Sequence, residues 1–584
     1  MTDHVDAKAA ETPRSPHRDA LIDEMFSPPD SLLQVLRRRL TAGELVAARD
    51  RRVGAGMIGA RAAGLVFADA LLARATSSFT FAVERDDSIF IGSDVSIAFR
   101  ATGDVPEDIA RQLETVSDRW SETPLIVRPS LPFGAPPSSM CHSIFCLNRG
   151  SRDNRSRELL GAVRHIFTDA ATLSDAPAAL IVSRVHGRTC GTAFFPDLSG
   201  VALSFNPYAW NEYIDPKAGA ARLVVGLGTH FAKGAEDFSR LVSLNAPERR
   251  PEADFDEIRK SSQRRVDYLD LSAGQVATEY FMDMARQPDG MPVDLLSTPD
   301  ESPHPVTGKT MPILTLEPLV NHGSFIKDLR EMLRLLGEAF DHPVELEFTV
   351  LLAPNGHHTL RIHGCKPWDK LRPARDRIPM AQLLDKNLLF EVHGPVIGRG
   401  RVIPVRHIIH VPSAAYAHLP MQDRYEIART IGRIQRKLED GALMLIGPGR
   451  WGTTTPSLGI PVSFAEINRA SVMVEIAEMH EHLTPELSLA THCFNELVAA
   501  NMLYVAVQPG RERNTFHADL LAAAPNRLEA LVPAAARLRD AIRVIDTTTL
   551  TAGRGLTLYA DSWRRQALCY IGQPPDLNPP GNAI

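Results

Sequence analysis

The sequence lacks a surplus of basic residues. Lys and Arg total 64 against 70 Asp and Glu, a formal net charge of −6, so there is no electrostatic footprint for nucleic acid or an anionic lipid surface. It lacks any run approaching the ~18 consecutive apolar residues of a membrane-spanning helix. Its first twenty residues, MTDHVDAKAAETPRSPHRDA, have no apolar core of a secretory signal and read as disordered, being charged and proline-containing. Cysteine is scarce. The six (Cys141, Cys146, Cys190, Cys365, Cys493, Cys569) are scattered, and none forms a CxxC, which suits reduced thiols in a cytoplasmic protein. Cys141 and Cys146 have a spacing that suits a redox or metal pair, but the partner ligands are missing. No repeat of fixed period is present.

What is there is the composition of an ordinary soluble globular protein, 44% hydrophobic and 23% charged. A chain of 584 residues is too long for one core, and about two to four domains are expected. Leu32, Leu33, Leu36, Leu40 and Leu45 predict a helix over 31–52. The glycine-rich GAGMIGARAAGL at 54–65 opens a second helix running through Leu72. Short strands are expected at 79–83, 88–91 and 124–128, a loop over 129–139, and a helix near 155–170. The Pro-rich stretch 297–312 reads as a surface loop. Phe325–Phe340 is an amphipathic helix, and VELEFTV at 344–350 alternates as a half-buried strand, hairpinned through Pro354-Asn355-Gly356 to 359–363. A boundary falls near 368–385. Beyond it, strands are expected at 402–410, 442–446 and 502–507. Helices are expected near 422–438, 464–481, 491–500 and 518–541.

Several segments carry chemistry. Glycines before a helix N-terminus, as in GAGMIGARAAGL, let backbone N–H groups face a phosphate, and Arg61 adds a charge beside them. Arg128, in IVRPSLPFG, suits a phosphate clamp. The run AALIVSRVHG, FFPDLSGVALSFNPYAW and ARLVVGLGT at 178–229 places apolar strands around glycine-rich turns. Glu345 and Glu347 are two apart on a strand, so both carboxylates point to one face and suit Mg²⁺ if nucleotide oxygens complete its shell.

Taken in this order the segments resemble the nucleotide-binding half of phosphoenolpyruvate synthase and pyruvate phosphate dikinase, an ATP-grasp fold. The likeness runs over roughly residues 50–370 and is strongest from 190 to 245. It implies that Gly59 and Arg61 meet the ATP phosphates and that Arg128 clamps the terminal one. Ser183 and Val185 would lie on the strand against the adenine, with Arg184 beside them. Glu345 and Glu347 would hold Mg²⁺, with Glu347 also meeting the nucleotide, and Lys366 would stabilise developing charge with Arg128. The chain departs from the family's pattern in places. Pro129 follows Arg128 where the family has Ser, and an acidic pair downstream is gone. Gly364 stands for a Gln, and Lys366 and Arg61 exchange the family's basic types.

Three other motifs carry less. Gly447, Gly449 and Gly452 spell GxGxxG after a strand, but the following Thr453–Pro461 is turn-like, which removes the dinucleotide context. An anion nest beside Arg450 remains open there. His492, in LATHCFNEL, has the Thr-His step of the dikinase carrier motif without its flanking small residues. His480 with His482, and His407 with His410, lack a third ligand.

The fold class expected is α/β (α+β), an ATP-grasp-like nucleotide-binding domain plus a second C-terminal α/β domain. The division is an N-terminal tail and helix over 1–45, the nucleotide domain over 46–372 with lobes split near 215–235, a C-terminal domain over 380–575 and a disordered tail over 576–584. The family's carrier-histidine domain and phosphoenolpyruvate barrel are both unrecognisable. The expectation is Mg-ATP-dependent phosphotransfer to an unknown acceptor, a small molecule or a partner protein's histidine. The alternatives are a nucleotide sensor with a degraded site and a structural interaction protein.

Overall fold

A computed structural model describes residues 15–26, 30–132, 142–173, 175–211, 213–229, 239–252, 254–287, 291–300, 310–353, 357–367, 378, 383–453, 455–477 and 493–574. The turn 354–356, the residues Cys141, His480, His482 and His492, and the tail 576–584 lie outside them. The chain is mixed α/β and forms two compact units. The first comprises residues 1–204, 221–233 and 262–368, and the second 205–220, 234–261 and 369–584. Thus two excursions from the stretch expected to form one domain, 46–372, pack with the second unit. Among the described residues no helix is long and apolar enough to cross a membrane.

The first unit begins with helices. The single helix expected over 31–52 is two, Asp30–Arg39 and Ala42–Arg49. Thr41 breaks it. Its hydroxyl accepts from the Glu44 amide at 3.3 Å while the Glu44 carboxylate accepts from the Thr41 amide at 2.8 Å, a capping box that starts a new helix. A five-stranded sheet follows in the order Arg52–Val53, Ile89–Ile91, Ala179–Arg184, Leu125–Ser130, Ile144–Cys146. Helices Glu107–Arg119 and Arg152–Leu173 supply Leu113, Val116, Leu159 and Val163 to the core it shares with Leu125, Val127, Leu180 and Val182. The strand from Leu125 runs to Ser130, through the Pro129 expected to begin a loop.

A second sheet carries, in order, Ala220–Val224, Leu198–Leu203, Val344–Leu351, Thr359–Pro367 and Ala82–Glu84. The buried helix Gly59–Arg74 packs on its Thr359–Pro367 strand. Gly64 makes that packing possible, because a Cβ there would lie 1.8 Å from the Cys365 carbonyl oxygen.

The second unit is built on a long sheet. Arg401–His410, Ala442–Pro448, Ala470–Ile476 and Leu503–Val507 run parallel as its centre. Leu556–Asp561 and Gln566–Ile571 continue it antiparallel. The helix expected over 464–481 is therefore wrong. Residues 470–476 form a central strand with Val472 and Val474 fully buried. A strand buried on both faces is a continuous apolar run, which periodicity alone does not separate from a buried helix. The expected 518–541 helices are also shorter, Ala518–Ala523 and Leu528–Leu531 followed by a 3₁₀ turn over Pro533–Leu538.

Candidate functional site

The hairpin of Val344–Leu351 with Thr359–Pro367 builds a polar face in the first unit. Strand alternation puts Glu345, Glu347 and Thr349 on one side, and their cross-strand partners are Lys366, Gly364 and Arg361. The register shifts between Glu347 and Phe348, with Gly364 opposite one and Ile362 opposite the other, so His363 is an extra residue. Such a bulge re-aims the strand. It lets both Arg361 and Lys366, five residues apart, share the face, which an unbroken period of two forbids.

The charges on and around this face pair off. Arg61, from the helix Gly59–Arg74, donates through one Nη to both Glu347 oxygens at 2.9 and 3.1 Å. Lys366 Nζ lies 3.1 Å from Glu345. Arg361 and Arg184 together hold Glu84 and Asp87, Arg361 donating to Glu84 at 3.1 Å and to Asp87, and Arg184 donating to Asp87 at 2.7 Å and to Glu84 at 3.2 Å. Arg128 is left over. Among the described residues its guanidinium has no hydrogen-bond or ion-pair partner. Burial, reinforced by repulsion from Arg61 and opposed by Glu347, pushes its pKa down to about 10, so it stays a cation at neutral pH. Burial alone would raise the Glu347 carboxyl, but Arg61, then Arg128 and Lys366, hold it below its ordinary range.

Two histidines complete the cluster. His186 Nδ1 is 2.9 Å from the Thr349 hydroxyl, and His363 Nε2 is 2.8 Å from the same oxygen. His186 Nε2 lies 3.4 Å from Glu84. Burial, with Arg361 next, lowers His186 to about 4; burial, with Arg128 next, holds His363 well below the ordinary imidazole value. Both rings are neutral at neutral pH. These groups (Glu84, Asp87, His186, Thr349, Arg361, His363) were not singled out from the sequence. The signal available was the period-two spacing of Arg361 and His363 on the strand expected to pair with the one carrying Glu347 and Thr349.

The glycine-rich turn has a different role from the phosphate cradle expected. The amides of Ala55 and Gly56 donate to the Asp94 carboxylate at 2.9 and 2.7 Å, so the nest already holds an anion supplied by the chain. At the start of the helix, the Ala60 amide donates to the Leu131 carbonyl at 2.9 Å and the Ala62 amide to the Ser130 hydroxyl at 3.1 Å. Gly59 has φ +77°, and a Cβ there would lie 2.0 Å from the Ser130 carbonyl oxygen. Its glycine is therefore required by close packing of helix against strand.

The adenine-side residues are internal. Ser183 is buried, with its hydroxyl 2.8 Å from that of Ser88, and its strand is paired on both sides. Val185 packs with Ile126 and Leu269, and its amide donates to the Pro124 carbonyl at 2.7 Å.

In the second unit, Gly447 lets the Trp451 ring approach, since a Cβ would lie 2.8 Å from it, and Trp451 donates its amide to the buried Glu475 at 3.0 Å. His407 and His410 are buried strand residues. Cys146 is buried and its thiol is pushed far up by burial, away from redox or metal reactivity. Among the described residues no group of three or more His, Cys, Asp or Glu could hold a metal on protein ligands alone.

Comparison with protein-family models finds no match, and comparison with curated proteins finds none either. The polar face of the first unit is thus the basis for a functional reading.

Proposed function

We propose that the first unit is an ATP-grasp-like nucleotide-binding unit, taking Mg-ATP and transferring a phosphoryl group. The observation that carries this reading is Arg128, a half-buried cation that, among the described residues, has no hydrogen-bonded or ion-paired counter-ion, although the Glu347 carboxylate is near enough to favour its charge. A half-buried cation without a directly bonded counter-ion favours an anion beside it, and an anionic phosphate supplies one. Glu345 and Glu347 fit Mg²⁺ in donor type, since hard oxygens from one or two carboxylates plus phosphate oxygens are its usual shell. When bound, the metal supplies charge neutralisation on the phosphates. Arg61 and Lys366, released from the two carboxylates, turn to the same phosphate oxygens, and Arg128 holds the terminal group. The acceptor is a small molecule or a histidine of a partner.

A second reading, a nucleotide sensor that binds without turnover, is favoured by Asp94 filling the glycine-rich turn and by Ser130 and Leu131 taking the helix amides. In that reading side chains alone grip the phosphates.

Calorimetric titration with ATP, with and without Mg²⁺, followed by assays for AMP and released phosphate, tests both. Mg-dependent binding that Arg128→Met weakens, with nucleotide consumed, supports transfer. Binding without consumption in the presence of candidate acceptors supports the sensor. Absence of binding sinks both.

A further inference from the structure

Thr349 sits in an arrangement that the nucleotide reading does not use. An imidazole and a hydroxyl are in hydrogen-bond contact, His186 Nδ1 lying 2.9 Å from Thr349 Oγ1, while the other ring nitrogen, Nε2, is 3.4 Å from Glu84 Oε2 without hydrogen-bond geometry. A base within hydrogen-bond reach of a hydroxyl is the pairing that activates a nucleophile. With the His186 proton on Nε2, Nδ1 carries the lone pair and accepts the Thr349 proton. The Thr349 oxygen then accepts Nε2–H of His363 at 2.8 Å, which holds the side chain in one rotamer.

We propose that Thr349 is a phosphoryl acceptor within the first unit, with His186 as its general base. The proposal rests on the nucleotide reading for its donor, ATP. Thr349 Oγ1 attacks the terminal phosphorus while its proton passes to His186 Nδ1. The Oγ–P bond forms, the bond from that phosphorus to the bridging oxygen breaks, and the electron pair leaves on the β-phosphate of ADP. The imidazolium formed lies 3.4 Å from the Glu84 carboxylate, whose charge stabilises it. His363, hydrogen-bonded to Thr349, is a positioning residue.

Three observations make the site suited to the product. Thr349 is partly exposed, whereas the imidazoles on either side are buried. It is two residues from Glu347 on the same face, so it shares the surface on which Arg61 lies. Arg361 is its cross-strand partner, and Arg128 lies close enough to depress His363. A phosphothreonine adds close to two negative charges, and Arg128, which has no directly bonded partner among the described residues, is a cation for it to meet.

The test is incubation of the full chain with Mg-ATP, mapping of any phosphate by peptide mass spectrometry, and its acid stability. Calorimetric binding of ATP is measured on the same preparation. The expected result is acid-stable phosphate on Thr349, retained in Thr349→Ser and lost in Thr349→Val, each variant melting in one transition. His186→Gln is expected to slow labelling by about 100-fold, the range of general-base catalysis. Wild-type protein that binds ATP but carries no phosphate on Thr349 overturns the proposal and leaves the nucleotide reading standing. Acid-labile phosphate on His363 also overturns it, and protein that binds no ATP overturns both.

Discussion

Arg61 and Glu347, 286 residues apart in sequence, form a bidentate ion pair in which one Nη lies 2.9 and 3.1 Å from the two carboxylate oxygens. The pair ties the helix Gly59–Arg74 to the hairpin strand Val344–Leu351 and holds the Glu347 carboxyl below its ordinary range. On the proposed reading, Glu347 would hold the metal and Arg61 would meet the phosphates, so the pair would open on binding. Glu347→Ala is therefore expected to weaken Mg-ATP binding far more than binding of metal-free nucleotide. Equal loss of both, in paired calorimetric titrations, would make the carboxylate structural.

Arg128 carries the opposite trade. Arg128→Met keeps the stem's volume and removes a half-buried charge that has no hydrogen-bonded or ion-paired partner among the described residues, so the melting temperature is expected to stay level or rise. Nucleotide affinity is expected to fall about 10- to 100-fold, from loss of charge-assisted hydrogen bonds of about 1.5–3 kcal/mol. A coordinated loss of stability and affinity would show that Arg128 has a structural partner instead.

Gly64 is a close-approach position. Gly64→Ala places a methyl 1.8 Å from a backbone oxygen, and main chain does not move aside cheaply. Overpacking of this kind is expected to cost at least about 3 kcal/mol, the upper end of ordinary core insertions. Gly161, exposed in the helix Arg152–Leu173 with nothing within 4 Å of its built Cβ, is the control. Gly161→Ala is expected to stabilise by about 0.5–1 kcal/mol. Chemical denaturation of the two variants compares them directly.

Glu252 gives the second unit an acid-sensitive contact. Its carboxylate accepts from Arg250 at 3.1 Å, Ser261 at 2.7 Å and Asn495 at 2.9 Å. Burial raises its pKa, but Arg250 outweighs that and brings it to about 2, against an ordinary 4.5. A carboxyl depressed on folding contributes stability that is full above pH 4.5 and is lost as pH falls toward 2. The contribution is up to about 3 kcal/mol by linkage. Glu252→Gln is expected to flatten the pH dependence of unfolding over that window, and an unchanged slope in pH-resolved melts would refute the assignment.

Much of this molecule was legible as pattern. The helix Phe325–Phe340 lies where its apolar stripe predicts, with Leu329, Met332, Leu333 and Leu336 buried. The strand over 344–350 is present as Val344–Leu351, with its two glutamates on one face. The parallel strands at 401–410, 442–448 and 503–507 were equally plain from their apolar runs. Ala470–Ile476 was not, because a strand covered on both faces loses the alternation that distinguishes it. The helix break at Thr41 was hidden inside a continuous leucine pattern, although a Thr three residues before a Glu is a local signal.

Sequence alone determined which residue types lie on the hairpin, since period-two alternation follows from strand geometry whatever the strand packs against. It also determined the absence of a basic footprint and the mixed α/β character. Tertiary structure decided what those residues face. The bulge at His363 is a matter of register between two strands, and it alone brings Arg361 and Lys366 to one face. Asp94 filling the glycine-rich turn, His186 meeting Thr349 across 163 residues, and Arg128 ending without a hydrogen-bonded partner among the described residues are all long-range outcomes. No local pattern encodes them, because each depends on how distant strands and helices come together, which fixes the balance of charge at the site.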